Sequence, residues 1–182
     1  PLRLVGSEMC IRDRGYTVGY GSKDHNIFVY YAALAALYGA GVPVRLANDR
    51  YEQFQSGIKR HPFDIRYQLA VDKNDHSFQI FRAEMNVDGG GRINYSPSVA
   101  AVGATAAQSI YYMPQNDLQV TAYHSRAVEA GSMRGYGTLQ SMASTEMMVD
   151  EIAGRLGIDA IDLRKKNAML SGMKNTQGAV PA

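Results

Sequence analysis

The feature that most restricts how this chain can fold is an alternation. Phe63, Ile65, Tyr67, Leu69 and Val71 are apolar at every second position, with Asp64, Arg66, Gln68 and Ala70 between them. A strand turns successive side chains to opposite faces, so this period predicts a half-buried strand. Lys73-Asn74-Asp75-His76 is turn chemistry, and a partner alternation starts at Phe78 and Ile80 and runs toward Val87. Together they predict a β-hairpin. Gly89, Gly90 and Gly91 end it, and read as a strand end or bulge rather than a phosphate cradle.

Helical spacing dominates elsewhere. Ile27, Tyr30 or Tyr31, Leu34 and Leu37 predict a helix over about 24–38, capped by Ser22 or Asp24 and stopped by Gly39, Gly41 and Pro43. Val42 to Leu46 reads as a short strand. Small residues from Ser98 to Tyr112 predict a tightly packed helix that stops before Pro114, and Leu118, Val120 and Ala122 a strand reaching about Val128. Met142, Thr145 or Glu146, Val149 and Ile152 predict a long helix over 138–156 closed by Gly157. Asp159 or Asp162 opens a last amphipathic helix ending near Asn167. The class is α+β, with a hairpin and packed helices rather than regular βαβ units.

Charge and composition exclude several functions. The formal net charge of +2, without a basic run, gives no footprint for nucleic acid. The longest apolar stretch, Ile27 to Leu37, is too short for a membrane span and is broken by tyrosines. A single cysteine, Cys10, leaves no internal disulfide framework, which fits a reducing, cytoplasmic setting. The histidines His25, His61, His76 and His124 lack paired metal-ligand spacing. Gly21-Ser22-Lys23 is not a P-loop, because Ser22 separates the glycine from the lysine.

Two glycine loops remain, each with a tyrosine between glycines and each leading into a helix: Gly19-Tyr20-Gly21 and Gly135-Tyr136-Gly137. Bare backbone lets N–H groups approach a ligand closely, and helix N-termini favour anionic oxygen. The loops are either anion- or oxo-binding elements or two ordinary tight turns.

Five segments in register then carry a resemblance. Tyr20-Gly21-Ser22-Lys23-Asp24 resembles a Phe-Gly-Gly-Lys-Glu/Gln segment, and Gly41-Val42-Pro43-Val44-Arg45 a Gly-x-Pro-Val-Arg strand. Asp49-Arg50-Tyr51-Glu52 with Lys59-Arg60-His61-Pro62-Phe63 is similar to Asp-Arg-x-Glu and Gly-x-Arg-His-Pro. Met133-Arg134-Gly135-Tyr136-Gly137-Thr138-Leu139-Gln140 resembles Arg-Gly-Phe/Tyr-Gly-x-x-Gln, and Arg164-Lys165-Lys166-Asn167 matches Arg-x-Lys-Asn. Over residues 15–169 the chain resembles the molybdenum-cofactor subunit of the xanthine dehydrogenase/aldehyde oxidase family, the molybdenum hydroxylases.

That resemblance implies part of a molybdopterin-binding domain. The enzyme would oxidise a small aldehyde or heteroaromatic substrate with water-derived oxygen, hydride passing to molybdenum. The pterin is expected in its simple or cytosine dinucleotide form, and electrons leave to iron–sulfur clusters on other domains or a partner subunit, with FAD on a further one. By analogy, the Tyr20 and Gly21 backbone lies beside the metal's oxo ligand. Arg134 and Gly135 belong to the loop at the cofactor, and Arg134 orients substrate or the metal's surroundings. Tyr136 flanks the substrate ring, and Asp24 stands where a substrate-contacting glutamate or glutamine is usual. No side chain of this chain is expected to bind the metal. Two departures weigh against xanthine itself: Asp24 is one methylene short, and Val102 stands where purine-oxidising members carry arginine. The family's glutamate base and oxo-contacting glutamine lie outside this stretch, so the segment alone is expected to be inactive. The expected setting is the cytoplasm, with the periplasm as the alternative for the full-length complex. The alternative functions are a non-catalytic scaffold or assembly homologue, and an unrelated anion- or nucleotide-binding domain.

Glu8-Met9-Cys10-Ile11-Arg12-Asp13-Arg14 resembles the translation of a sequencing-library transposase adapter. The expectation is therefore a non-native segment over 1–14 and a partial domain, cut at both ends, over 15–182. DNA reads crossing Arg14 should switch abruptly to unrelated sequence; contiguous genomic coverage upstream would refute this.

Overall fold

The computed structural model describes residue 21, residues 28–39 and residues 41–180. Helices α1 (Phe28–Tyr38) and α2 (Arg50–Ser56) precede strands β1 (Phe63–Val71) and β2 (Phe78–Asp88). Helix α3 (Ser96–Ala106), strand β3 (Gln115–Tyr123), and helices α4 (Thr138–Leu156) and α5 (Ala160–Asn167) complete the order.

The predicted hairpin forms. β1 pairs antiparallel with β2 from Phe63↔Val87 to Val71↔Phe78, with a bulge at Ala70/Val71. Its turn is held by Asp72 and Asp75 carboxylates, which accept from the backbone N–H groups of Asn74 and Ser77. Hydrogen bonds from the Ser77 hydroxyl and backbone bring the Asp75 pKa down to about 2. His76 takes a left-handed φ of 59° to close the turn.

β2 is the centre of the three-stranded sheet and β3 lies parallel to it, from Ile80↔Gln115 to Asp88↔Tyr123. Parallel neighbours need a crossover, and α3 supplies it. The sequence reading has no βαβ unit; the structure has one, β2–α3–β3, within a mixed α/β arrangement. The core lies between one sheet face and the helices. Phe81, Ala83 and Met85 of β2 meet Ala104 and Ala107, Tyr111, Val149 and Ala153 of α4, and Leu163 of α5.

Other boundaries differ from expectation for physical reasons. Val42–Leu46 is not a strand: Pro43 lacks an N–H, and no described strand pairs with it. Residues 50–56 form α2, started by a capping box in which the Asp49 side chain accepts from the Glu52 N–H and Glu52 from the Asp49 N–H. α3 begins at Ser96 with Pro97 in its first turn and ends at Ala106, where the chain turns through a left-handed Ser109. β3 starts earlier, at Gln115, and stops at Tyr123. α4 and α5 run as read, α4 closed by left-handed Gly157 and α5 capped by Asp159. The part of α1's prediction over 24–27, its proposed caps, and the 1–14 segment lie outside the described residues.

Small residues bring α3 against the start of α4 backbone to backbone. A Cβ on Gly103 would sit 2.7 Å from the Phe63 ring, and one on Gly137 would sit 2.4 Å from the Val99 carbonyl oxygen. Gly137 also has φ +91°, where a side chain is strained. We expect Gly137→Ala to destabilise the intact protein by at least about 2 kcal/mol. Gly154, on the same helix, is open to solvent with nothing near the place a methyl would occupy, so Gly154→Ala should stabilise by about 0.5–1 kcal/mol. Denaturant unfolding of the two variants checks the opposite signs.

Candidate cofactor and substrate site

The loop of residues 131–137 turns tightly enough to expose its backbone. The Tyr136 N–H donates to the Met133 carbonyl at 2.8 Å and the Thr138 N–H to the Gly135 carbonyl at 2.7 Å. Gly135, Tyr136 and Gly137 all have positive φ, at 90°, 42° and 91°. For tyrosine this conformation is uncommon and costs about 1–3 kcal/mol, a strain characteristic of functional sites.

The first glycine loop meets the second directly. Gly21 and Met133 form an antiparallel bridge. Gly21 has φ +109°, and a Cβ there would lie 2.5 Å from the Ser132 carbonyl oxygen. Only glycine allows this approach. Of the predicted site residues, Gly21 therefore comes alongside Met133, next in sequence to Arg134. Tyr20 and Asp24 lie outside the described residues.

Arg134 and Gly135 line the mouth of a groove of about 560 Å³, with Arg60, Thr138, Leu139, Met142, Ala143 and Glu146. Its lining is mostly apolar, with Arg60, Arg134 and Glu146 as its charged members. Tyr136 is half-buried and is not part of this lining. Arg60 is a residue that the sequence reading left without a role. Its Nη2 donates to the Arg134 carbonyl at 2.7 Å, while its Nη1 is buried with no hydrogen-bond partner. Gln140 resembles it in this: its Nε2 donates to the His61 carbonyl at 2.9 Å, and its Oε1 is buried and unmatched. The Arg-His-Pro and Arg-Gly-Tyr-Gly-x-x-Gln segments carry these residues, but nothing in either spacing shows that they meet.

Glu146 also lines the groove. Its carboxylate accepts from Ser109 Oγ at 2.8 Å, Tyr111 Oη at 2.7 Å and Arg164 Nε at 3.0 Å. Burial opposes its charge, but these hydrogen bonds and the Arg164 cation outweigh that and lower its pKa. Burial, then the Glu146 carboxylate, pushes the Tyr111 phenol well above its ordinary value. Arg164 also pairs with Asp150 at 2.7 Å. With its oxygens already taken by donors, Glu146 joins the α3–β3 connection to α4 and α5.

The donor set at the loops suits an anionic, oxygen-rich group. Amides and guanidinium groups offer hydrogens and no lone pairs, so they bind oxygen atoms rather than a bare metal. The buried, unmatched Arg60 Nη1 beside a glycine turn fits such a group. A sequence profile described as the molybdopterin cofactor-binding domain matches residues 15–168. The chain belongs to that family. It is 33% identical over 150 residues to a probable xanthine dehydrogenase subunit from Bacillus subtilis, covering 81% of this chain and 20% of that protein. It is 30% identical over 168 residues to the aldehyde oxidoreductase of Megalodesulfovibrio gigas, covering 92% and 18%. Crystalline aldehyde oxidoreductase from Desulfovibrio gigas superposes with a TM-score of 0.79 at 27% identity, over 89% of this chain and 18% of that one. The chain thus spans about a fifth of the relatives it matches. The expected family and fold stand.

A lowered folded-state pKa makes Glu146 stabilising above the ordinary glutamate range, and that contribution is lost as pH falls through the lowered value. Glu146→Gln should therefore lower the urea midpoint at neutral pH. The gap from wild type should narrow as pH falls from the ordinary glutamate range through the lowered folded-state value. A gap independent of pH would show that the Glu146 charge contributes nothing.

Proposed function

We propose that this chain is the part of a molybdenum hydroxylase that offers two glycine loops to a molybdenum–molybdopterin cofactor, and that the whole enzyme oxidises a small aldehyde or N-heterocycle. The observation that carries this reading is the Gly21–Met133 bridge, which joins the two loops just ahead of Arg134. Two elements more than a hundred residues apart in sequence come together through bare backbone. This arrangement suits the binding of a group's oxygen atoms by amides.

When bound, the cofactor supplies a water-derived oxygen nucleophile and takes up hydride from the substrate carbon. The protein's part is placement. The Tyr20 and Gly21 backbone would hold the cofactor's oxo side. Arg134 and Gly135 approach from the second loop, and the Arg134 guanidinium faces negative charge developing on the substrate. Tyr136 offers a flat apolar face to an aromatic substrate, and its strained backbone fixes where that ring lies. Asp24 would contact substrate polar atoms. Val102, at the margin of exposure, brings no cation to a purine, so an aldehyde or another heterocycle suits the site better than xanthine.

The pterin is expected in its simple or cytosine dinucleotide form. Electrons leave to iron–sulfur clusters on a partner subunit or domain and on to FAD. No described helix is long and apolar enough to cross a membrane. We place the complex in the cytoplasm.

In the intact protein, Arg134→Ala should lower kcat/KM by about a hundredfold or more while molybdenum content, measured by mass spectrometry, stays near wild type. Unchanged kinetics would remove Arg134 from the site. Tyr136→Ala should weaken aromatic substrates about tenfold and spare small aliphatic aldehydes. Equal losses for both would contradict a ring-contacting role.

A further inference from the structure

Lys59, Arg60 and His61 run beside the second glycine loop and hold it at three successive points. The Lys59 N–H donates to the Glu129 carbonyl at 3.0 Å, and the Lys59 carbonyl accepts from the Gly131 N–H at 3.0 Å. Arg60 Nη2 reaches the Arg134 carbonyl at 2.7 Å. The His61 carbonyl accepts from Gln140 Nε2 at 2.9 Å. Three consecutive residues thus hold the loop from its entry to the first turn of α4. The strap is anchored in turn: His61 Nε2 lies 2.8 Å from Ser96 Oγ at the start of α3. Lys59 Nζ donates to the Gln53 carbonyl of α2.

The middle contact acts on one particular peptide. The Arg134 carbonyl and the Gly135 N–H belong to a single planar trans unit, so they point in opposite directions. Capturing the carbonyl therefore fixes the direction of the amide. That amide has no hydrogen-bond partner among the described residues. Gly135 sits at φ +90°, and glycine occupies either sign of φ, so the peptide could otherwise flip. Arginine suits the task because its guanidinium is a rigid planar fork. With Nη2 committed, the buried and unmatched Nη1 stays at Gly135, 3.9 Å from where a Cβ would stand.

Resting on the function proposed above, we infer that Arg60 is a positioning residue: it locks the Arg134–Gly135 peptide so that the Gly135 amide is presented to an oxygen atom of the bound molybdenum cofactor. The effect of Arg60 passes through the peptide it holds.

The test uses the intact, cofactor-loaded protein with Arg60→Met, which keeps the side chain's bulk but no donor, and Arg60→Lys, which keeps one charged donor. We expect turnover per bound molybdenum to fall about tenfold or more in Arg60→Met while KM changes by less than about threefold. The Mo(V) electron paramagnetic resonance signal of the reduced protein should shift, because the oxygen ligand field loses a donor. Arg60→Lys should recover part of both. A role in folding alone would lower melting temperature and molybdenum content but leave turnover per molybdenum and the spectrum at wild-type values, and that result overturns the inference. If Arg60→Met does not fold, Arg60→Lys decides: reduced turnover with a shifted spectrum supports it, and wild-type values overturn it. Wild-type protein that carries no molybdenum would defeat the proposed function itself, and this inference with it.

Discussion

The contact between Gly103 and Gly137 sets the distance on which the rest of the structure depends. At this point the backbone of α3 and the first turn of α4 touch without side chains between them, and the Phe63 ring fills the space alongside. Because α3 is the crossover between β2 and β3, its position is tied to the sheet. Because Gly137 is the N-cap of α4, its position determines where residues 131–136 run. A methyl group at either glycine would push the loop away from the sheet. The loop geometry at Arg134 is thus a consequence of core packing, transmitted through peptide contacts that tolerate almost no adjustment.

Polar groups finish what the glycines begin. The strap of residues 59–61 grips the loop from one side, and the Glu146 cluster fastens the middle of α4 to α5 and to the chain after α3. Thr145 adds a buried link, its hydroxyl donating to the Ala107 carbonyl at 2.7 Å. These are directional interactions, so they select one arrangement where apolar packing alone would tolerate several. The groove between them combines a mostly apolar lining with a few charged groups, as suits recognition of a small organic molecule carrying one polar edge.

How much of this the sequence reveals depends on whether the determining interaction is local. The hairpin, α4 and α5 are legible because period and capping are properties of adjacent residues: Phe63 to Val71, Thr138 to Leu156, Asp159 before Ala160. Helix α2 carries an Asp49–Glu52 capping box that is also local; its brevity and its overlap with a recognisable motif obscure it. The parallel pairing of β2 with β3 has no local signature, since a polar start such as Gln115-Asn116-Asp117 reads as loop until a neighbouring strand is present. At the site, the glycine loops and Arg134 stand out through composition and motif. Arg60 does not, because its meaning comes from a carbonyl 74 positions away. The φ of Tyr136 is equally invisible, since nothing in the residue type announces a left-handed tyrosine.

Among the described residues, the order β1–β2–β3 leaves the sheet with two outer rims, at β1 and at β3, each carrying N–H and C=O groups on its unpaired side. β3 runs nine residues, and most of its side chains face solvent. Such rims are templates onto which another extended segment can zip by main-chain bonding alone. Expressed by itself, a polypeptide of this length would offer those rims to its own copies, and self-association into ribbons or precipitate would compete with correct folding. Handling it in the laboratory therefore calls for dilute conditions or for co-production with longer sequence able to cap both sides.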